Sequence, residues 1–327
     1  MSASNGLTVL YAEPLPVDLR LVVETEIDAL GGGHRLRVAG SKDRAELLQR
    51  VAEADVVVVA TTRIDAEALA AAPRLRHVQH QGVGYDNIDV AACAARGVTV
   101  ALTPEGTTTG VAEHTFLLLL ALYKRLREAE GQLRAGKWPV WELRSTSYEI
   151  AGKTIGLVGF GRIGRAVAKR ARAFEARVLY YDPFRADAAT ERELGVAYRA
   201  LDDLLREADV VSLHLPLSAE TRHVVGEREL ALMKRSAVLL NTARGPLVDE
   251  CALIAALQSK QIAGAGLDVF EREPADPANP LLQLESVVVT PHISAGTIDA
   301  FRTKMRAVAA NVARVARGEA PQNAVTH

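Results

Sequence analysis

The chain has 327 residues, of which 24% are charged and 49% hydrophobic, and a formal net charge of −1. That length exceeds one typical core and predicts two domains, and the composition is that of a folded protein rather than a disordered one. The near-neutral balance, without a basic cluster, excludes nucleic acid and an anionic membrane as expected partners.

The N-terminal 16 residues lack a charged segment followed by a long apolar run, so no secretory signal is read there. The most apolar run, 115–123, is too short to span a bilayer. Cys93 and Cys251 both sit among alanines in helical patterns and read as buried small hydrophobes, with neither a disulfide framework nor a metal-ligand spacing. A reducing cytoplasm is the expected compartment.

From residue 7 short apolar runs alternate with helical stretches. Strands are predicted at 8–11, 35–38, 56–60, 77–79 and 98–101, and helices at 18–30, 43–52, 65–71 and 89–96. Several of these helices open on an Asp whose carboxylate can accept from first-turn amides. Such alternation predicts a parallel, doubly wound sheet. The segment 104–110, PEGTTTG, interrupts it and leads into a long apolar helix, 111–133, taken as the crossing into a second domain. Residues 135–150, with Trp138, Pro139 and Trp141, show no clear period and read as a surface arm, or as a surface that packs on a partner subunit.

The stretch 153–182 carries the strongest local signal: an apolar run, Gly159-Phe160-Gly161-Arg162-Ile163-Gly164, a helical pattern, and a second apolar run ending at Asp182. Gly159 permits the turn, Gly161 lets backbone approach a pyrophosphate, and Gly164 lets helix and strand pack closely. Amides at the helix start then face the phosphates. Asp182 ends the next strand, where a carboxylate accepts from an adenosine ribose and repels a 2′-phosphate, which favours NAD over NADP.

Beyond it come strands at 196–198, 210–213, 237–241, 262–268 and 287–290, helices at 201–207 and 249–258, and a final helix at 295–317. That last helix could complete the second domain or return to the first. Hydride transfer to a carbonyl needs a substrate anchor, a proton donor and a group that tunes the donor. Arg244, Glu273 and His292 all follow predicted strands, at the edge that lines the crevice of a doubly wound sheet. Arg supplies a planar fork for a carboxylate, and a Glu bonded to His favours the imidazolium. Glu271 is an alternative carboxylate, and spacing alone does not choose between the two.

Six motifs in order then carry a resemblance: Gly82-Val83-Gly84-Tyr85-Asp86-Asn87-Ile88-Asp89, the turn from Gly159 to Gly164, His214-Leu215-Pro216-Leu217, Asn241-Thr242-Ala243-Arg244-Gly245 with Val248-Asp249-Glu250, Gly266-Leu267-Asp268-Val269-Phe270 through Glu273-Pro274, and Pro291-His292-Ile293. The chain resembles the NAD-dependent D-isomer-specific 2-hydroxyacid dehydrogenases, glyoxylate/hydroxypyruvate reductase-like and without a C-terminal regulatory domain.

The resemblance implies a flavodoxin-like substrate domain, 1–102 with 294–327, and a Rossmann nucleotide domain, 103–293. It implies that Arg244, Glu273 and His292 are catalytic, which selects Glu273 over Glu271, and that the Val83 and Gly84 amides hold the substrate carboxylate with Arg244. It places Thr108, Gly159, Gly161, Arg162, Ile163, Gly164, Asp182, His214, Pro216, Thr221, Thr242, Ala243, Asp268, His292 and Ala295 at or beside the dinucleotide, and no metal. It returns the last helix to the first domain and implies a homodimer joined through the nucleotide domain. The expected substrate is a small 2-oxo or 2-hydroxy acid of glyoxylate or hydroxypyruvate type. The alternatives are a bulkier 2-oxo acid near Tyr85 or Trp141, 3-phosphoglycerate, disfavoured because Arg63 is the single basic residue in its loop, phosphite, and an NAD-sensing binding protein. Formate oxidation is disfavoured by Glu273, where such enzymes resemble a version with Gln.

Overall fold

In the computed structural model of the chain, residues 6–325 are described; residues 1–5, the head of the N-terminal stretch read as carrying no signal, and 326–327 lie outside them. The chain divides into two compact units, one running to Thr107 and taking up the chain again at Thr297, the other Thr108–Gly296.

The first unit opens with β1 (Thr8–Tyr11), α1 (Val17–Asp28), β2 (Arg35–Val38), α2 (Arg44–Val51), β3 (Val56–Val59), α3 (Ala66–Ala70), β4 (His77–His80), α4 (Val90–Ala95) and β5 (Thr99–Ala101). All its strand pairs are parallel, in the order β2-β1-β3-β4-β5, the doubly wound order of flavodoxin. The sequence cause is visible in β3, four valines that are all buried. Side chains alternate across a strand, so Val57 and Val59 pack with Leu47, Leu69 and Cys93, while Val56 and Val58 pack with Val23 and Ile27 of α1. Asp43, Asp65 and Asp89 cap α2, α3 and α4 by accepting from the amides of Glu46, Ala68 and Ala92.

The chain continues with α5 (Thr107–Tyr123), α6 (Leu126–Arg134), α7 (Val140–Arg144), β6 (Thr154–Val158), α8 (Arg162–Ala173), β7 (Arg177–Tyr181), α9 (Ala188–Leu194), β8 (Val196–Tyr198), α10 (Leu201–Glu207), β9 (Val210–Leu213), α11 (Glu227–Leu232), β10 (Val238–Asn241), α12 (Glu250–Gln258), β11 (Gly264–Leu267), β12 (Val287–Val289) and α13 (Ile298–Ala316). The second sheet is parallel throughout, ordered β12-β11-β10-β9-β6-β7-β8. Its strand order reverses between β6 and β9, the point where doubly wound sheets open a crevice at their carboxyl ends. Met305, Val308 and Val312 of α13 join Val9, Tyr11, Val23 and Ile27 in one apolar cluster, so α13 packs within the first unit.

Several expectations are corrected. The single helix 111–133 is two: Arg125 turns left-handed (φ 51°), and α6 beyond it buries no residue. The loop expected at 104–110 ends sooner, because Thr107 already opens α5. The arm contains the short helix α7, and α9 and α11 had no counterpart among the predicted elements. The final helix starts at Ile298, capped by the Thr297 hydroxyl, so Ala295 lies in the turn before it. Cys93 is buried but Cys251 is exposed, since α12 turns Leu253, Ala256 and Leu257 inward and leaves position 251 to solvent.

Among the described residues no helix is long and apolar enough to cross a membrane. The Asp249 carboxylate accepts from the Ala252 amide at 3.0 Å and starts α12 directly beyond the Arg244 turn. Asp249→Ala is expected to lower the unfolding free energy by about 1 kcal/mol, read as a lower urea midpoint with an unchanged slope.

Candidate active site

The three strand-end residues named from sequence follow β10, β11 and β12, which are neighbours in the sheet. After β10 the Asn241 side chain shapes the turn: its Nδ2 donates to the Arg244 carbonyl at 2.9 Å and its Oδ1 accepts the Ala243 amide at 3.1 Å. Gly245 allows the next loop to close, because a Cβ there would lie 1.8 Å from the Phe270 carbonyl oxygen. After β11, Glu273 accepts the Phe270 amide on Oε1 at 3.1 Å and meets His292 Nδ1 with Oε2 at 2.7 Å. Glu271, the alternative left open by spacing, is engaged elsewhere: it accepts from Arg222 at 2.9 Å and pairs with His223 at 2.8 Å.

His292 has a left-handed backbone (φ 53°), costly for a residue with a Cβ unless its surroundings fix it. Asp268 does the fixing. Its carbonyl accepts the His292 amide at 2.7 Å, and its fully buried carboxylate accepts the amides of Ile293 at 2.9 Å and Ser294 at 2.8 Å. The Thr290 hydroxyl donates to the same carboxylate at 2.6 Å and meets His114 Nε2 of α5 at 2.8 Å. The next residue on α5, Thr115, bonds the Thr242 hydroxyl at 3.2 Å. Neither His114 nor Thr115 was singled out from sequence; each is one polar residue in a long apolar helix, a pattern without spacing information.

The glycine turn joins β6 to α8. Gly159 has φ 101°, and a Cβ on it would sit 2.5 Å from the His214 carbonyl carbon; one on Gly164 would sit 2.3 Å from the Gly159 oxygen. Beside Gly161, by contrast, a Cβ would meet nothing within 4 Å. Gly161 is also the N-cap of α8 and supplies no side chain to its first amides, whereas α9, α12 and α13 are each capped by an Asp or Thr oxygen. The amides at Arg162, Ile163 and Gly164 therefore head a helix open to an anion. This turn fits a dinucleotide pyrophosphate. Asp182 follows β7 and accepts the amides of Phe160 at 2.7 Å and Phe184 at 2.9 Å, which ties the turn to the neighbouring strand.

The family profile described as D-isomer specific 2-hydroxyacid dehydrogenase, NAD binding domain, matches residues 116–294. The chain is 48% identical over 282 residues to a glyoxylate reductase of Korarchaeum cryptofilum, covering 85% of each. Among solved structures, the TT0316 protein of Thermus thermophilus is 37% identical with a TM-score of 0.87, covering 98% of this chain and 100% of that one. A glyoxylate reductase of Paecilomyes thermophila is 31% identical with a TM-score of 0.85, covering 98% of each. The chain belongs to the D-isomer specific 2-hydroxyacid dehydrogenase family. It is an oxidoreductase, and its second unit carries the family's nicotinamide-dinucleotide domain.

Of the residues named from sequence, this unit brings together Arg244, Glu273 and His292, with Thr242, Ala243 and Asp268 on the same loops. Gly159, Gly161, Arg162, Ile163, Gly164, Asp182 and His214 gather around the head of α8. Thr221 donates to the Pro216 carbonyl at 2.7 Å in the loop after β9, Thr108 lies in the first turn of α5, and Ala295 lies in the turn before α13. Val83 and Gly84 follow β4 in the other unit, where Val83 is exposed.

Two charge states in this dehydrogenase domain have clear causes. Burial raises the Glu273 carboxyl, but the bonded His292 imidazole, then the Phe270 amide and the Arg244 charge, outweigh it and hold Glu273 below its ordinary value. The pair therefore carries a carboxylate at neutral pH. The His214 ring, buried although the residue as a whole is partly exposed, is pushed by burial from 6.5 down to about 4. Its Nε2 lies 2.9 Å from Ser212 Oγ, and its buried Nδ1 has no hydrogen-bond partner among the described residues.

A histidine depressed in the folded state is protonated first in the unfolded chain, so its contribution to stability is complete above the unfolded pKa of 6.5 and is lost as pH falls toward about 4. A depression of that size corresponds to at most about 3 kcal/mol. Urea unfolding of the cofactor-free protein should show stability falling between pH 7 and pH 4.5, with a shallower fall in His214→Gln. Parallel curves for the two proteins would show that His214 is not the group responsible.

Proposed function

We propose that this chain is an NAD-dependent D-2-hydroxyacid dehydrogenase whose substrates are small 2-oxo and 2-hydroxy acids of glyoxylate or hydroxypyruvate type. The observation that carries the reading is the His292–Glu273 pair at 2.7 Å, held on strand-end loops adjoining the Arg244 turn. The 48% identity to a glyoxylate reductase supports the substrate class.

The chain's own residues supply four tasks. Arg244 offers a two-pronged cationic fork to the carboxylate and the C2 oxygen of a 2-oxo acid. The Val83 and Gly84 amides are assigned to the same carboxylate. His292 gives a proton to the developing C2 alkoxide; its Nδ1 is engaged by Glu273, which leaves Nε2 as the donating nitrogen. Glu273, held as a carboxylate and bonded to Nδ1, keeps the ring in that orientation. A bound nicotinamide supplies hydride chemistry at C2. The first unit is assigned to substrate binding, with α13 as part of it, and the D configuration of the alcohol is assigned from the family.

NAD is proposed over NADP on two grounds. Asp182, already fixed by two backbone amides, sets a negative charge where a 2′-phosphate would lie. The nearby Arg185 is committed to Glu191 at 2.9 and 3.1 Å and lies over Tyr198, so it is a poor phosphate partner. A phosphorylated substrate is disfavoured because Arg63, alone in its loop, leans on Asp65 at 3.6 Å. A reducing cytoplasm is the proposed compartment, in keeping with the free thiols of Cys93 and Cys251.

The arm supports a homodimer through the nucleotide unit. Both tryptophans of the chain lie on it, Trp138 at 78% and Trp141 at 74% exposure, beside exposed Leu126, Leu133, Val140 and Tyr148. Apolar area of this kind marks an interaction surface.

Two measurements test the proposal. Oxidation of NADH and NADPH across 2-oxo acids of graded size and charge should give the highest kcat/KM with NADH and glyoxylate or hydroxypyruvate; no turnover with any 2-oxo acid would leave a dinucleotide-binding protein instead. Sedimentation should show a dimer that Trp138→Glu with Trp141→Glu converts to monomer, and a monomeric unaltered protein would remove the arm's assigned role.

A further inference from the structure

We propose that His114 is a positioning residue for His292, acting through Thr290 and the buried carboxylate of Asp268. The inference rests on the reading of His292 as the proton donor, and deepens it by naming what aims that donor.

Proton counting sets the direction of the chain. The Thr290 hydroxyl lies 2.6 Å from Asp268 Oδ1, and a carboxylate only accepts, so the single hydroxyl proton is committed there. At 2.8 Å from His114 Nε2 the same oxygen must therefore accept, which places a proton on that nitrogen. The links run His114 N–H to Thr290 O–H to Asp268. Asp268 then accepts the amides of Ile293 and Ser294 on its two oxygens, while its carbonyl accepts the His292 amide.

These bonds end at the residue whose left-handed backbone most needs them, and whose side chain is the proton donor. The chain's far end is rigid. His114 is itself buried, and α5 around it is clamped by Phe116, Leu118 and Leu119 in the apolar cluster that holds Leu157 and Leu240. One helix thus braces the loop of His292, as Thr115 on the same helix braces Thr242 ahead of Arg244.

Without the Nε2–H, the Thr290 oxygen keeps its bond to Asp268 but loses its anchor on α5, and the Asp268 carboxylate is held less firmly. A shift of the His292 ring by a fraction of an ångström slows proton transfer while the glycine turn and the Arg244 fork stay in place. The expected signature is a loss in kcat with binding preserved.

The test compares His114→Leu, His114→Asn, His114→Gln, Thr290→Val and Thr290→Ser, each checked by thermal melt, with His292→Gln as reference. Gln places an amide N–H at the position of the imidazole Nε2 and Ser keeps the hydroxyl, whereas Asn is polar but too short to reach Thr290. With the best 2-oxo acid, Leu, Asn and Val are expected to lower kcat roughly 10- to 100-fold. KM for that acid and Kd for NADH, read by fluorescence, should stay within about twofold, and Gln and Ser should recover most of kcat. Unaltered kcat in the folded Asn and Val variants, or a loss that Gln and Ser fail to rescue, overturns the proposal. Should His292→Gln itself keep its kcat, the proton-donor reading fails first; should His292→Gln lose activity while Asn and Val do not, only the role of His114 fails.

Discussion

A carboxylate removed entirely from water must be met by donors, because leaving it unmet costs more than folding can spare. Asp268 is such a group, with no exposed surface. Its oxygens are met by one hydroxyl and two backbone amides, all from residues 290–294. The same bonds that satisfy the charge force the chain around it, so the loop has little choice of conformation. A non-glycine residue with positive φ costs on the order of 1–3 kcal/mol, and His292 holds one at the centre of this loop. Loss of one donor would leave part of a buried charge uncompensated, a penalty of about 1–3 kcal/mol, comparable to the strain it supports.

The sheet makes that arrangement reachable. Parallel strands deliver all their carboxyl ends to one edge, and every strand of the second unit runs the same way. Residues far apart in sequence thereby fall on neighbouring loops after β10, β11 and β12. The glycine turn lies at the same edge, where the order reverses beside β6. Close packing at Gly159, Gly164 and Gly245 brings the loops against one another, since each lacks a Cβ that would strike backbone. The edge is built first from strand direction and then from missing side chains.

Much of this was legible beforehand, for identifiable reasons. The strands 8–11, 35–38, 196–198 and 210–213 coincide with β1, β2, β8 and β9 because apolar runs bounded by caps and turns leave little freedom. The helix break at Arg125 was not legible: no glycine or proline marks it, and the apolar pattern runs through. The helices α9 and α11 are short and bury at most one residue each, so they leave almost no periodic trace. Cys251 misled because alanine-rich surroundings look buried from any side of a helix. At the site, spacing could not separate Glu271 from Glu273. Which carboxylate meets His292 depends on how two loops from different strands approach, and the structure pairs Glu273 with it while Arg222 and His223 take Glu271. The brace from His114 was invisible for the same reason, its partner Thr290 being far along the chain.

Two carboxylates therefore act on one histidine in different ways, and their surroundings decide which does what. Asp268 is enclosed and surrounded by main-chain donors, so it governs where the His292 backbone goes. Glu273 is exposed, spends one oxygen on the Phe270 amide and the other on Nδ1, and governs the orientation of the ring. Exchanging the two environments would give a fixed ring on a loose loop, or a fixed loop with an unaimed ring. The His292 loop needs both constraints at once: a backbone set by one enclosed carboxylate, and a ring orientation set by another. Dividing the tasks between separate carboxylates lets the loop stay rigid while the imidazole keeps a partner of its own.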